Sequence, residues 1–434
     1  MLPTDHADRL ALAAEVHARP PEPVDTPARA SYVAVLVAPE QREAERAHLA
    51  ALCQAFGVEP PAPGRNHFSA TLGALRLKWE RHGEFSGYTV VTSGISPQPF
   101  SEPPAVLLPP GWLAAVPGHT VFAGHAKLAP APAGAPDVAA LGASFFGGHI
   151  VVGAAIGDGA GYAFTDFHIH ADGFARFVVL DGGFTPRQAG RTLQRLFEIE
   201  AYRMMALLAL PPARAQQPRM AEIERSLAAL ARAIAQDEGG AAGDEALLHE
   251  LTRLAAEVES ALASNQFRFG ACRAYHALVS TRIGELREQR IAGLQTIDEF
   301  MARRLSPAVA TVASVEQRLR DLAERVAQAS SLLATRVSIA RERQNQALLA
   351  ATARRAQLQL RLQQTVEGLS VAAIVYYVAG LLGYVGKGLK AGGVRVDPDL
   401  LVGAAIPVLL LVAMAVVRRV HRRIEAAEAA RPDA

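Results

Sequence analysis

In the stretch TDFHIHADGF, Asp166, His168, His170 and Asp172 recur at every second position. Successive side chains of a β-strand point to opposite faces, so a strand here projects all four from one side. Imidazoles beside carboxylates suit a transition metal or another divalent cation. The competing reading is a polar strand face turned to solvent, which produces the same alternation. Two further clusters carry acid–base groups: Glu15, His17 and Arg19 in EVHARP, and Glu80, His82 and Glu84 in WERHGEFSGY. Neither has a nucleophile with a recognisable partner beside it, so an enzyme is not expected, and a tethered hydrolase built on the histidine strand ranks last among the readings. The tract GDGAG, Gly157 to Gly161, has the glycines of a phosphate cradle but lacks its lysine and helix start. It reads as a hairpin turn.

These residues need a scaffold, and 434 residues with 50% hydrophobic and 20% charged content are enough for two or three packed domains. Residues 1–210 read as an α+β cytosolic domain with a mixed sheet. SYVAVLVA is a buried strand, PEQREAERAHLAALCQAF has helical period with Pro39 near its start, and HFSATLGALRLKWERHGEFSGYTVV reads as two strands around Arg81, His82 and Gly83. Glycine-rich turns then separate three or more short strands up to FVVLD, followed by a helix from Pro186 towards Leu210. Pro211 and Pro212 break the pattern, PPARAQQPRM reads as a linker, and residues 211–305 are expected to form a helical domain. A helix over Met220 to Ala235, a loop at Gly239 to Gly243 and a longer helix from near Asp244 make it up.

Apolar residues at Ile291, Leu294, Ile297, Met301, Leu305, Val309, Val312, Val315, Leu319, Leu322, Val326 and Leu333 form a coiled-coil-like seam. Ser306 as N-cap with Pro307 at N1 starts a helical stalk over 306–368. Its membrane-proximal part carries Arg336, Arg341, Arg343, Arg354, Arg355 and Arg361 against Glu342 and Glu367. Such a surface suits a water-filled vestibule or anionic lipid, or reflects ordinary positive-inside bias.

Two runs without charges follow, 369–385 and 400–417. As helices they span roughly 25–27 Å, close to a bilayer core of about 30 Å. The expected hairpin has membrane helices at 369–387 and 400–418, an external loop at 388–399 and a basic tail at 419–434. Arg418, Arg419, Arg422 and Arg423 put that tail in the cytosol, and two crossings return the N-terminus to the same side of a bacterial inner membrane. The opening residues, with acids, His and prolines, do not read as a secretory signal. Candidate pore-lining residues are Ser370, Tyr377, Gly380, Gly383, Tyr384 and Lys387. Gly380, Gly383 and Gly386 also permit close approach of a neighbouring helix. The expected partners are the bilayer, anionic lipid and other copies of the chain through stalk and membrane helices. With 44 basic against 42 acidic residues, nucleic acid is not among them. Cys53 and Cys272, far apart, suggest neither a disulfide framework nor a thiolate zinc site, and no cofactor is expected beyond a divalent cation.

EVHARP, WERHGEFSGYT, TDFHIHADGF, AGRTLQRLFEIEAYRMMALLALP, SIARERQNQALLA and LQLRLQQTVEGLSVAAIVYY together resemble the bacterial membrane-anchored proteins catalogued as domain of unknown function 3422. The likeness covers nearly the whole chain and implies an integral membrane protein, with no activity or site residues to carry over. The order of elements is also similar to that of CorA-type channels. Those are homopentamers whose first membrane helix ends in a Gly-Met-Asn filter. Here GYVGKGLK stands in its place, and Lys387 at a pore mouth would repel Mg²⁺. The preferred expectation is a homo-oligomeric, CorA-like ion channel or transporter of unknown selectivity. The alternative is a membrane-anchored sensor or scaffold without transport.

Overall fold

The computed structural model describes residues 3–15, 21–236, 240–393 and 397–429. His17 and Arg19 of EVHARP, part of the expected Gly239–Gly243 loop, residues 394–396 of the expected external loop and the end of the tail lie outside them. Along the chain run α1 (Arg9–Glu15), β1 (Ala28–Leu36), α2 (Arg42–Ala55), β2 (His67–Leu72), β3 (Leu75–Arg81), β4 (Phe85–Ser93) and β5 (His119–Pro130). Then come α3 (Val138–Phe145), β6 (Val152–Ile156), β7 (Gly161–Thr165), β8 (Ala175–Asp181), α4 (Pro186–Leu207), α5 (Leu210–Gln236) and α6 (Gly240–Leu286). The last are α7 (Ile297–Arg304), α8 (Ser306–Ala391) and α9 (Pro398–Ala429). Two compact units result, Met1–Ser331 and Leu332–Ala434, so the division expected at residue 210 falls inside the first unit.

The first unit is built on an eight-stranded sheet in the order β2-β3-β4-β1-β5-β8-β7-β6. Neighbours are antiparallel except β5 and β8, so the sheet is mixed, as the sequence suggests. Strand β1 is central and buried on both faces, which explains its unbroken apolar run. On one face Tyr32 stacks on Phe197 of α4 with ring centroids 5.2 Å apart. On the other, Val33 and Val35 join Leu49, Leu52 and Cys53 of α2 in a core that includes Trp79 and Tyr88. Helix α4 begins where Thr185 accepts from the Gln188 amide and Gln188 accepts from the Thr185 amide, with Pro186 at N1.

Two expectations need correction. The segment 67–93 holds three strands instead of two, because Gly73 adopts φ +64° and turns the chain tightly between β2 and β3. PPARAQQPRM is helix. Pro211 and Pro212 sit in the first turn of α5, where an amide has no intrahelical acceptor, and burial of Ala213, Met220, Ile223 and Leu227 outweighs the interruption at Pro218. The apolar seam from Leu294 to Val326 is largely buried within the chain itself. Ion pairs Arg273–Glu316 and Arg318–Glu224 tie the start of α8 to α6 and α5, so this part of the seam is closed without a second copy. Ser306 is the first residue of α8 but not its N-cap: its Oγ lies 3.5 Å from His276 Nε2, only Leu305 separates α7 from α8, and α8 runs without interruption through the first apolar span.

The segment between α6 and α7 covers the β6 edge. Gly153 and Ala155 donate to the carbonyls of Gln295 and Gln289 at 2.9 and 3.0 Å, and Gln289 donates back to Ala155 at 2.7 Å. An edge paired in this way offers no template to another chain.

One buried pair makes the first unit sensitive to acid. His125 on β5 is 2% exposed, shares a hydrogen bond with Ser31 Oγ at 2.9 Å, and lies under the Phe174 ring at 3.8 Å. Burial pushes its imidazole from 6.5 down to about 4; Asp172 opposes this and Arg176 adds to it. The unfolded chain therefore takes up a proton that the folded chain refuses. Stability is fully present above pH about 6.5 and falls, by on the order of 3 kcal/mol, as pH drops towards about 4. Urea denaturation followed by Trp79 and Trp112 fluorescence should show wild type losing stability relative to His125→Gln over that window; a constant difference contradicts the assignment.

In the second unit the most apolar windows of α8 and α9 have mean hydropathy 1.8 and 2.9, and 11% and 0% of them is buried in the chain. Both helices are long and apolar enough to cross a membrane.

Candidate metal centre

The TDFHIHADGF segment is not a strand. Strand β7 ends at Thr165, and Phe167 adopts φ +54°, which takes the chain out of the ladder. Asp166 reinforces the turn: its Oδ1 accepts from the His168 amide at 3.2 Å. Two of the three other residues expected on one strand face converge nonetheless, because the loop folds back over the Asp166 carboxyl. His170 Nε2 lies 2.9 Å from Asp166 Oδ2, and His168 Nδ1 lies 2.7 Å from the Asp166 carbonyl oxygen. Asp172 is left out. Its carboxylate accepts from the Phe174 amide at 3.0 Å and pairs with Arg176 at 3.5 Å.

The fourth member is His149, absent from the sequence reading, whose Nδ1 lies 2.7 Å from Asp166 Oδ2. Gly147 and Gly148, at φ +64° and +83°, turn the chain after α3 and deliver His149 to the site. A signal for it exists in the GDGAG hairpin. Its register pairs Val152 with Thr165, and counting three residues outward sets His149 opposite His168. Their rings stand 4.3 Å apart.

The result is a buried carboxyl ringed by three imidazoles. The Asp166 side chain is 0% exposed, His170 10%, His149 43% and His168 60%, so the cluster has a closed floor and an open mouth. Ligand atoms of His149, Asp166 and His168 all lie within 4.8 Å of one another. Ligands of a tetrahedral zinc-like ion sit about 3.3 Å apart, so a cation requires His149 Nδ1 to part from Asp166 Oδ2 at 2.7 Å and His168 Nδ1, 3.9 Å from the same oxygen, to close in. Phe167 anchors the loop from behind, stacking on Phe300 of α7 at 4.3 Å.

Glu80 pairs with Lys78 at 3.0 Å, Glu84 pairs with Arg268, and His82 stacks on Phe85 at 4.3 Å. In the second unit, Ser370 Oγ donates to the Val366 carbonyl of its own helix at 2.9 Å. Gly383 and Gly386 face α9: a Cβ at either would stand 3.3 Å from Val402 or Pro398. Val375 and Ala379 are buried on that same face. A Cβ at Gly380 would meet open space, and Tyr377, Tyr384 and Lys387 are exposed, away from the α9 contact.

An α/β unit with a His/Asp cluster, followed by a pair of long apolar helices, defines the class of this protein. The chain belongs to the family described as protein of unknown function (DUF3422), whose model matches residues 4–424. No curated protein and no solved structure matches it, and the likeness to CorA-type channels gains no support from these comparisons.

Proposed function

We propose that the chain is a membrane-anchored sensor of a transition-metal ion, held by His149, Asp166, His168 and His170. The observation that carries this reading is the seat of the ligand loop. Phe167, between two ligands, stacks on Phe300 of α7, and α7 ends one residue before α8, the helix that contains the first apolar span. Imidazole and carboxylate donors favour zinc-like ions over Mg²⁺. The uncovered apolar windows support a membrane anchor, and the arginines after the second support cytosolic termini in a bacterial inner membrane.

In detergent-purified full-length protein, Zn²⁺ or Co²⁺ is expected to bind at one ion per chain and to slow hydrogen exchange over 166–174 and 297–304. Phe167→Ala should keep the ion and lose the response at α7. No binding defeats the metal reading; binding without a response at α7 in wild type defeats the sensor.

Ion conduction by a homo-oligomer is the second reading. It rests on Tyr377, Gly380 and Tyr384, which α9 leaves uncovered for a neighbouring copy. Liposome flux that disappears on blocking substitutions at Tyr377 or Gly380 would favour it.

A further inference from the structure

A cleft of about 500 Å³ opens in the first unit between α4, the end of α6 and the GDGAG turn, and none of the four cluster residues lines it. Helix α4 presents Arg191 and Arg195 to it, one turn apart; Arg287 enters from beyond α6, and Phe184 supplies an aromatic wall. Three guanidinium groups face one carboxylate, Glu285.

That carboxylate is already shared. Arg195 donates to Glu285 Oε2 at 2.8 Å and Arg282 to Oε1 at 3.1 Å, while Arg287 pairs with Asp158 of the turn. Arg191 makes no ion pair or side-chain hydrogen bond among the described residues. Burial lowers the proton affinity of Arg195, Glu285 opposes this, and repulsion from Arg191 and Arg282 adds to the lowering. Arg282 also pairs with Glu198, so the uncompensated positive charge of the cleft is that of Arg191.

The size lies within the range of small-molecule sites, roughly 300–1,000 Å³. Guanidinium forks match phosphate oxygens in two-point contacts, and an aromatic wall suits a planar or apolar remainder. We infer that this cleft binds a phosphorylated small molecule, with Arg191 and Arg195 on the phosphate and Phe184 against the rest of the ligand. The inference stands independently of the metal reading.

The test is titration of full-length protein with ADP, glucose 6-phosphate and pyrophosphate, with adenosine as the uncharged control. Saturable binding of at least one phosphorylated probe is expected, with none of adenosine. Arg191→Glu should weaken it at least about tenfold and Arg191→Gln less, both with unchanged melting because Arg191 is exposed. Phe184→Ala should weaken ADP and leave pyrophosphate unaffected, which separates a nucleotide from a bare phosphate as the source of affinity. Absence of saturable binding for all three probes, or binding unchanged in Arg191→Glu, overturns the inference.

Discussion

Replacing Asp166 by alanine is expected to remove metal binding and to lower folding stability by roughly 2–4 kcal/mol. The carboxyl is wholly buried, accepts from the His168 amide, and has His149 and His170 against one oxygen. Alanine leaves that amide and the nearly buried His170 ring without their acceptor, and a buried polar group without a partner is costly. Loss of an outer-sphere partner alone lowers metal affinity by about 10–100-fold, so loss of a ligand should exceed about a hundredfold. Asp166→Asn separates the two effects: it keeps the shape and one acceptor oxygen, so most stability should survive while affinity falls. Co²⁺ absorption bands and urea denaturation read the two quantities. An Asp166→Ala protein that binds Co²⁺ with an unchanged spectrum would exclude Asp166 as a ligand.

The second large effect reverses a rule of helix propensity. Gly190 lies inside α4, where glycine to alanine ordinarily stabilises by about 1 kcal/mol. Here a Cβ would stand 1.7 Å from the Glu22 carbonyl oxygen and 2.9 Å from its carbon. The obstacle is backbone, held against α4 by the Val24 amide donating to the Pro186 carbonyl at 2.9 Å. Gly190→Ala is therefore expected to destabilise by about 3 kcal/mol, by displacing either the segment before β1 or the helix. The sign decides the matter in a denaturation experiment: a stabilised variant would mean that this segment does not lie against α4.

The elements around the metal cluster were readable because each depends on residues adjacent in sequence. The unbroken apolar run of β1, the helix start at Pro186 and the glycines of GDGAG are local signals, and each stands where the sequence places it. Local signals also misled. The prolines of PPARAQQPRM read as a break because burial along α5 cannot be seen from composition, and alternation in TDFHIHADGF read as a strand because nothing local announces a positive φ at Phe167.

By itself the sequence determined the mixed α/β body, the hairpin turn and two apolar helices, since propensity and periodicity are properties of contiguous residues. Tertiary structure alone admitted His149 and excluded Asp172, because a site is defined by which side chains meet across a register and a turn. It also turned Gly383 towards α9 and buried most of the seam inside the chain. An apolar stripe specifies that a face must be covered, while the choice of what covers it depends on the packing of the whole chain.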